Sequence, residues 1–162
     1  MYLIIKGVSS MDNIDIKIMK LLQSNARMTV SEISNTVNLS VSAVSERLKK
    51  LESSGVIEQY TAIINPRCHN KNLTAIMFIS LERPKFNDKF VEFVQQEDDI
   101  LECHYLAGDY DYALKIITES TLTLENLLNK IKSVPGVQKT RTVVALSTVK
   151  NNHSIIPGKE SD

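Results

Sequence analysis

The chain has 162 residues, of which 43% are hydrophobic and 23% charged, and its 19 Lys and Arg residues balance 19 Asp and Glu residues. This composition is that of a folded protein with one large or two small domains, and it excludes disorder of the whole chain. The cysteines Cys68 and Cys103 lack the spacing of a zinc site, and no apolar run approaches the ~20 residues of a membrane span. We therefore expect a cytoplasmic protein without a membrane partner. The neutral charge argues at first against a nucleic-acid partner.

Residues 12–53 show the apolar periodicity and the start signals of three short helices. Asp12 is placed to cap the first helix. Thr29 and Glu32 form a capping-box pattern at the start of the second, and Ser40 is a good N-cap for the third. The second and third helices are joined by only about three or four residues, which is the spacing of a helix-turn-helix.

The third helix is followed by signals for a turn, an extended stretch and a hinge. Gly55 supplies a left-handed residue after the helix, Val56–Ile64 is extended and apolar, and the polar stretch Asn65–Asn72 contains a proline. For residues 1–10 an extra strand and an alternative start at Met11 both stay open. We divide the chain into a helix-turn-helix domain (1–64), a hinge (65–73), a ligand-binding and oligomerisation domain (74–150) and a flexible tail (151–162).

From Leu73 onward the pattern changes to strand, helix, strand, strand, helix, strand. The predicted strands are Thr74–Glu82, Ile100–Ala107, Tyr110–Thr118 and Val137–Val149, the last bent or bulged, and the predicted helices are Asn87–Gln96 and Thr123–Ser133. This βαββαβ order is typical of the ferredoxin-like fold, in which an antiparallel sheet carries both helices on one face. We therefore predict an α+β protein, with an N-terminal winged helix-turn-helix domain followed by a ferredoxin-like domain.

Both faces of the first predicted strand are apolar. Met77 and Ile79 point to one side of it, while Ile76 and Phe78 point to the other. A sheet that is covered by helices on one face only should alternate apolar with polar residues. A second copy of the chain is the economical cover for the other face, so we expect a homodimer joined sheet to sheet.

The third helix has the composition of a DNA-reading helix. Its core-facing residues by helical spacing are Val41, Val44, Leu48 and Leu51. Short residues near its start suit entry into the major groove, and cations further along suit phosphate contacts. Glu46 fits if it reads a cytosine amino group or pairs with Arg47 or Lys50. The candidate DNA-binding residues are Ser40, Ser42, Ala43, Ser45, Glu46, Arg47, Lys49 and Lys50. The plain alternative is a solvated amphipathic helix.

The order and spacing of several motifs over residues 11–150 resemble the Lrp/AsnC, or feast/famine, family. The matching segments are Asp12-Asn13-Ile14-Asp15, Asn25-Ala26-Arg27, Leu39-Ser40, Ser45–Glu52, Gly55-Val56-Ile57, Tyr60, Ala107–Tyr112 and Pro135-Gly136-Val137. One departure is Val41, where a proline is common. The resemblance implies a transcriptional regulator that binds double-stranded DNA as a dimer. It also implies further assembly, up to an octamer, and a small effector that is commonly an amino acid.

The turn around Gly108 is the candidate effector site. A glycine there permits positive φ and lets a ligand approach the backbone. Exposed N–H groups suit a carboxylate, and Asp109 or Asp111 suits an α-ammonium group, so the pair of charges fits a free amino acid. The candidate effector-binding residues are His104, Tyr105, Ala107, Gly108, Asp109, Tyr110 and Asp111. The plain alternative is a hairpin turn.

No catalytic or metal-binding pattern stands out in the sequence. His69, His104 and His153 are scattered, and neither a P-loop nor a dinucleotide fingerprint is present. We therefore expect no enzyme, no metal and no cofactor. Two alternatives stay open because ferredoxin-like folds host many functions: a small-molecule-binding regulatory module, or a dimeric ferredoxin-like enzyme, in either case without DNA binding.

Overall fold

The computed structural model describes residues 11–158, and their contacts divide the chain into two units. One unit runs up to Ile63 and takes in the residues from Asn152 onward, and the other is Ile64–Asn151. Residues 1–10, whose possible extra strand or alternative start the sequence left open, lie outside the described residues, as do 159–162. Within the described part of the chain, no helix is long and apolar enough to cross a bilayer.

The N-terminal unit contains three helices, as predicted. Each helix start is capped by a side chain that lies close to it along the chain. The helices are α1 (Asn13–Ser24), α2 (Val30–Val37) and α3 (Val41–Ser53). Asp12 caps α1, Thr29 and Glu32 form a capping box on α2, and Ser40 Oγ accepts the Ala43 N–H at the start of α3. Gly55 follows α3 with a φ of 73°. These short-range hydrogen bonds set the helix ends.

A small apolar core joins the three helices. Ile18, Ile33 and Val44 are fully buried there, one from each helix, and Leu39 from the α2–α3 turn packs against them. The prediction that Val41 joins this core is wrong, since 51% of that residue is exposed. Leu39 and Val44 fill the core at this end of α3, which leaves Val41 outside it.

The end of the described chain returns to the N-terminal unit. Gln23 Nε2 on α1 donates to Ser154 Oγ at 3.1 Å and to the Ile155 carbonyl at 2.6 Å. The sequence predicted a flexible tail over 151–162. The described part of this tail is attached to α1 through these two hydrogen bonds.

The second unit is an antiparallel four-stranded sheet with two helices, in the predicted βαββαβ order. Its elements are β1 (Leu73–Leu81), α4 (Asn87–Gln95), β2 (Ile100–Tyr105), β3 (Tyr112–Thr118), α5 (Thr121–Ser133) and β4 (Val137–Ala145), and the sheet order is β2-β3-β1-β4. A short 3₁₀ helix, Pro66–His69, precedes β1. The β1–β4 pairing jumps from Ser80–Lys139 to Leu81–Val137, so the last strand contains the expected bulge.

Three strand ends differ from the sequence prediction by two residues or more, and each end of β1 differs by one. β2 ends at Tyr105 rather than Ala107, and β3 begins at Tyr112 rather than Tyr110, because the intervening residues form a loop closed on itself. β4 ends at Ala145 rather than Val149, because its last partner on β1 is Thr74. Strand length is thus limited by the partner strand, which the sequence pattern of a single strand does not show.

The two faces of the sheet have different surroundings. Ala75, Met77 and Ile79 of β1 are fully buried beneath α4 and α5, together with Leu114 and Ile116 of β3. The strand register places the alternate residues on the other face, here called the outer sheet face: Thr74, Ile76, Phe78, Ser80, Glu102, His104, Ala113, Lys115, Ile117, Lys139, Arg141, Val143 and Ala145. Ile76 and Phe78 are only half-buried there.

Candidate DNA interface and effector loop

The start of α3 is built around two serine hydroxyls. Ser40 Oγ accepts the Ala43 N–H at 3.2 Å and lies 3.0 Å from Ser42 Oγ, within hydrogen-bond distance. The Ser40 hydroxyl therefore serves the helix cap, and the Ser42 hydroxyl is held against it. Both residues are exposed at the helix tip, which leaves the surrounding surface open to a large partner.

The outward side of α3 carries most of the candidate DNA-binding residues. Ser42, Glu46, Lys49 and Lys50 are exposed, while Ala43 and Ser45 are half-buried on its flanks. This pattern places short side chains in the first two turns and ammonium groups in the later turns. It is the arrangement that a helix needs in order to enter a major groove and meet phosphates on its way.

Arg47 differs from the other candidates because its guanidinium faces α1. Its Nη1 lies 2.7 Å from Asp12 Oδ2 and 2.7 Å from Asp15 Oδ1, and Asp15 is buried. The hydrogen bonds that Arg47 donates to the carboxylates of Asp15 and Asp12 raise the pKa of Arg47 above its ordinary value, although burial opposes them. The geometry gives Arg47 a structural task between α1 and α3 in place of the phosphate contact suggested by the sequence. It also removes Arg47 as the partner suggested for Glu46.

The candidate effector residues Ala107–Asp111 lie together in the loop between β2 and β3, here called the effector loop. The Leu106 N–H donates to the Asp111 carbonyl at 2.7 Å, and the Asp111 N–H donates to the Ile79 carbonyl at 2.8 Å. Asp111 Oδ2 accepts the Leu81 N–H at 2.6 Å. The carboxylate of Asp111 therefore fastens the loop to β1, and Asp109 is the better candidate for an ammonium contact.

Gly108 does not have the positive φ that the sequence suggested. Gly55 and Gly136 are the glycines with positive φ among the described residues. A Cβ built on Gly108 meets nothing within 4 Å. Ala107, Gly108 and Asp109 are all exposed, so this stretch of backbone is open to approach. The missing side chain leaves space for a ligand or a neighbouring subunit.

The structure separates the two β2 candidates from each other. His104 pairs with Ala113 on the outer sheet face and lies 3.3 Å from Glu102. Tyr105 lies on the opposite face, with its ring 5.2 Å from the ring of Tyr112. The alternation of side chains along a strand makes this unavoidable. Within one chain, His104 and Tyr105 thus do not line the same pocket.

Tyr110 connects the effector loop with the outer sheet face. Its ring centroid is 5.5 Å from that of Phe78, and Lys139 Nζ lies 5.3 Å from the Tyr110 ring centroid. Tilted aromatic contacts and a cation over a ring each stabilise such an arrangement modestly. The effector loop is thus in contact, through Tyr110, with an apolar residue of the outer face.

Sequence analysis missed a groove between α4 and α5. Its volume is about 600 Å³, and Phe93, Asn126, Asn129 and Pro135 are among its lining residues. These residues are ordinary in composition and far apart along the chain, so no motif marks them. The groove is separate from the effector loop residues, which do not line it.

Comparison with known proteins gives matches over both units. The protein-family model described as winged helix-turn-helix DNA-binding matches residues 11–58. The family model described as Lrp/AsnC ligand binding domain matches residues 74–155. The chain is 38% identical to the HTH-type transcriptional regulator FL11 of Pyrococcus abyssi over 141 residues, which is 87% of this chain and 93% of that protein. It is 35% identical to the leucine-responsive regulatory protein of Escherichia coli K12, over 90% of this chain and 91% of that protein.

A solved structure shares the architecture of most of the chain. The transcriptional regulator of Neisseria meningitidis in complex with L-methionine superposes with a TM-score of 0.85 at 32% sequence identity. The superposition covers 90% of this chain and 96% of that one. The similarity thus includes the order of the helix-turn-helix and of the ferredoxin-like sheet.

Proposed function

We propose a DNA interface and an amino-acid site for this chain, which belongs to the Lrp/AsnC family of transcriptional regulators. It is accordingly a DNA-binding regulator and not an enzyme. The alternatives without DNA binding leave the helix-turn-helix unexplained. Because its partner is DNA, we infer that it works in the compartment that contains the chromosome.

The proposed DNA interface is the outward side of α3. Ser42, Ala43 and Ser45 are short enough to let the helix backbone approach base edges, and Lys49 and Lys50 meet phosphates. The observation that carries this assignment is the exposure of Ser42, Lys49 and Lys50 on a helix whose opposite side, at Val44 and Leu51, is buried. With Arg47 paired to α1, the two roles that the sequence leaves for Glu46 are pairing with Lys50 and accepting a hydrogen bond from a cytosine amino group.

The proposed effector site is the exposed backbone of Ala107–Asp109. Its N–H groups suit the carboxylate of a free amino acid, and the Asp109 carboxylate suits the ammonium group. That the Neisseria regulator forms a complex with L-methionine supports this chemistry. His104 and Tyr105 would contribute from different faces of β2, and hence to different contacts.

The proposed assembly is a homodimer formed by the outer sheet face, with an octamer as a higher state. The half-buried Ile76 and Phe78, and Val143 with 45% of its surface exposed, supply the apolar area. A dimer presents α3 twice, which compensates for the modest charge of each copy. An effector at the loop would act by favouring one assembly over another.

Calorimetric titration with each of the standard amino acids tests the effector site. We expect at least one to bind the full chain, and Asp109→Ala to abolish the binding heat while DNA affinity stays within about twofold. Glu92→Ala, which removes an exposed carboxylate from α4, is the matched control and should bind as the unmodified chain does. Unchanged amino-acid binding by Asp109→Ala would reject this site.

A further inference from the structure

We propose that Val41 reads DNA sequence through an apolar contact with the C5 methyl group of a thymine. The residue is the first of α3, and 51% of it is exposed although it is apolar and β-branched. The neighbouring core is occupied without it, since Val44 is fully buried and Leu51 is 3% exposed. Packing of the N-terminal unit therefore gives no reason for a valine at this position.

The surroundings of Val41 place it where base edges would be met. Every Cα–Cβ bond of an α-helix tilts toward the helix N-terminus, so the first side chain of α3 lies at the leading tip. Val41 and Ser45 are four residues apart and hence neighbours on one flank of the helix. Local contacts hold the tip, because Ser40 Oγ accepts the Ala43 N–H and lies 3.0 Å from Ser42 Oγ.

The chemistry of the major groove leaves one base group as the partner of the Val41 side chain. Base edges there present hydrogen-bond donors and acceptors, and the thymine C5 methyl is the apolar exception. Two valine methyl groups between hydroxyl-bearing neighbours cannot make a hydrogen bond, but they gain from burying apolar surface against such a methyl. The inference rests on the proposed role of α3 as the helix that enters the groove.

The test replaces thymine by deoxyuridine, which pairs identically but lacks the methyl group. A site selected by the full chain from random DNA is substituted one thymine at a time, and affinities are measured by fluorescence anisotropy. At one thymine of each half-site, we expect the unmodified chain to lose about fourfold in affinity, which is the scale of one buried methyl-sized group. Val41→Ala should bind the thymine and deoxyuridine forms of that site equally.

Two further variants keep the result interpretable. Val41→Thr retains one methyl group and should keep part of the discrimination. Leu122→Ala removes a 64% exposed apolar residue near the start of α5 and should show the same thymine profile as the unmodified chain. Val41→Ala with an unchanged profile, or a chain that selects a sequence yet tolerates deoxyuridine everywhere, would overturn the assignment. Failure to select any sequence would instead contradict the role of α3 itself.

Discussion

At the scale of single residues, Asp99 shows how neighbouring groups outweigh the cost of burying a charge. Burial by itself raises the pKa of this carboxyl, but hydrogen bonds from Lys71 and Thr118 more than compensate and hold the pKa below its ordinary value. Lys71 Nζ bonds Asp99 Oδ1, and Thr118 Oγ1 donates to Asp99 Oδ2 at 2.6 Å. The ionised carboxylate therefore ties the segment before β1 to the end of β3.

The depressed pKa predicts a pH-dependent contribution to stability. A carboxyl with a folded pKa below its unfolded value of about 3.9 stabilises the fold above that pH, and the contribution is lost as the pH falls through the folded pKa. We expect Asp99→Asn to lower the free energy of unfolding by about 1–2 kcal/mol at pH 7. Denaturant titrations should show the difference from the unmodified chain narrowing below about pH 4. A difference that stays constant down to pH 3 would contradict this account.

Alanine substitutions at two glycines should differ in their effect on stability, because the two sites differ in backbone conformation and in the space around the added Cβ. Gly136 has a φ of 89°, and a Cβ there would overlap the Phe86 ring, so we expect Gly136→Ala to reduce stability by about 2–3 kcal/mol. At Gly108 a Cβ meets open space, so Gly108→Ala should change stability by less than about 0.5 kcal/mol and yet abolish amino-acid binding. Thermal unfolding and calorimetry measure the two effects. Equal stability losses would show that Gly108 serves the fold.

At the scale of elements, the ion pairs of Arg47 hold α3 against α1. Both carboxylates come from the start of α1, and Asp15 is buried, so loss of the guanidinium leaves a buried charge without this partner. Truncating one side of such a pair costs more than the pair itself contributes. The orientation of the proposed reading helix therefore depends on a residue that does not face outward.

Arg47→Met distinguishes this positioning role from a phosphate contact. We expect a loss of about 1–3 kcal/mol in the free energy of unfolding, because Asp15 then lacks its ion-pair partner. The slope of log affinity for DNA against log salt concentration should stay unchanged, whereas removal of a phosphate contact reduces it by about 1. Denaturation and salt titrations of the same preparation give both values. An unaltered stability with a reduced slope would return Arg47 to the DNA interface.

How well the sequence predicted each element depended on the range of the interactions that form it. The caps at Thr29 and Ser40 follow from residues within one turn, and the structure confirms them. The exposure of Val41, the pairing of Arg47 with α1 and the pairing of Asp111 with β1 all depend on residues distant along the chain. Periodicity within one segment has no access to such contacts, so the sequence could define the candidate segments but not the contacts that each of their residues makes within the fold.

At the scale of the whole molecule, the outer sheet face determines the proposed assembly. Val143 and Val144 are adjacent on β4 and equally exposed at 45%, but the β1–β4 register directs them to opposite faces of the sheet. We expect Val143→Asp to shift the chain toward monomer, because a carboxylate would be buried in the dimer. Val144→Asp adds the same charge on the helix-bearing face and should stay dimeric. Light scattering measures the molar mass of both variants in solution. Identical masses would contradict the proposed interface.

The neutral net charge also has a different meaning once placement is considered. Residues 1–65 contain seven Lys and Arg against six Asp and Glu, and residues 66–162 contain twelve against thirteen. Arg47 is committed to α1, which leaves Lys49 and Lys50 as the exposed cations among the proposed contacts on α3. Because each copy has so few cations, we predict weak non-specific binding to DNA. We also predict that tight binding requires several copies of the chain on the same DNA.

The salt dependence of DNA binding by Lys49→Ala/Lys50→Ala tests the role of α3 most directly. Anisotropy titrations across a range of salt concentrations would compare this double variant with the unmodified chain and with Lys85→Ala/Lys89→Ala, which removes two exposed lysines from the second unit. Each phosphate contact contributes about 0.9 to the slope. We predict that the first variant lowers the slope by about 1.8 for each copy bound, on every DNA sequence, and that the control leaves it unchanged. Equal slopes for Lys49→Ala/Lys50→Ala and the unmodified chain would contradict α3 as the DNA-binding helix.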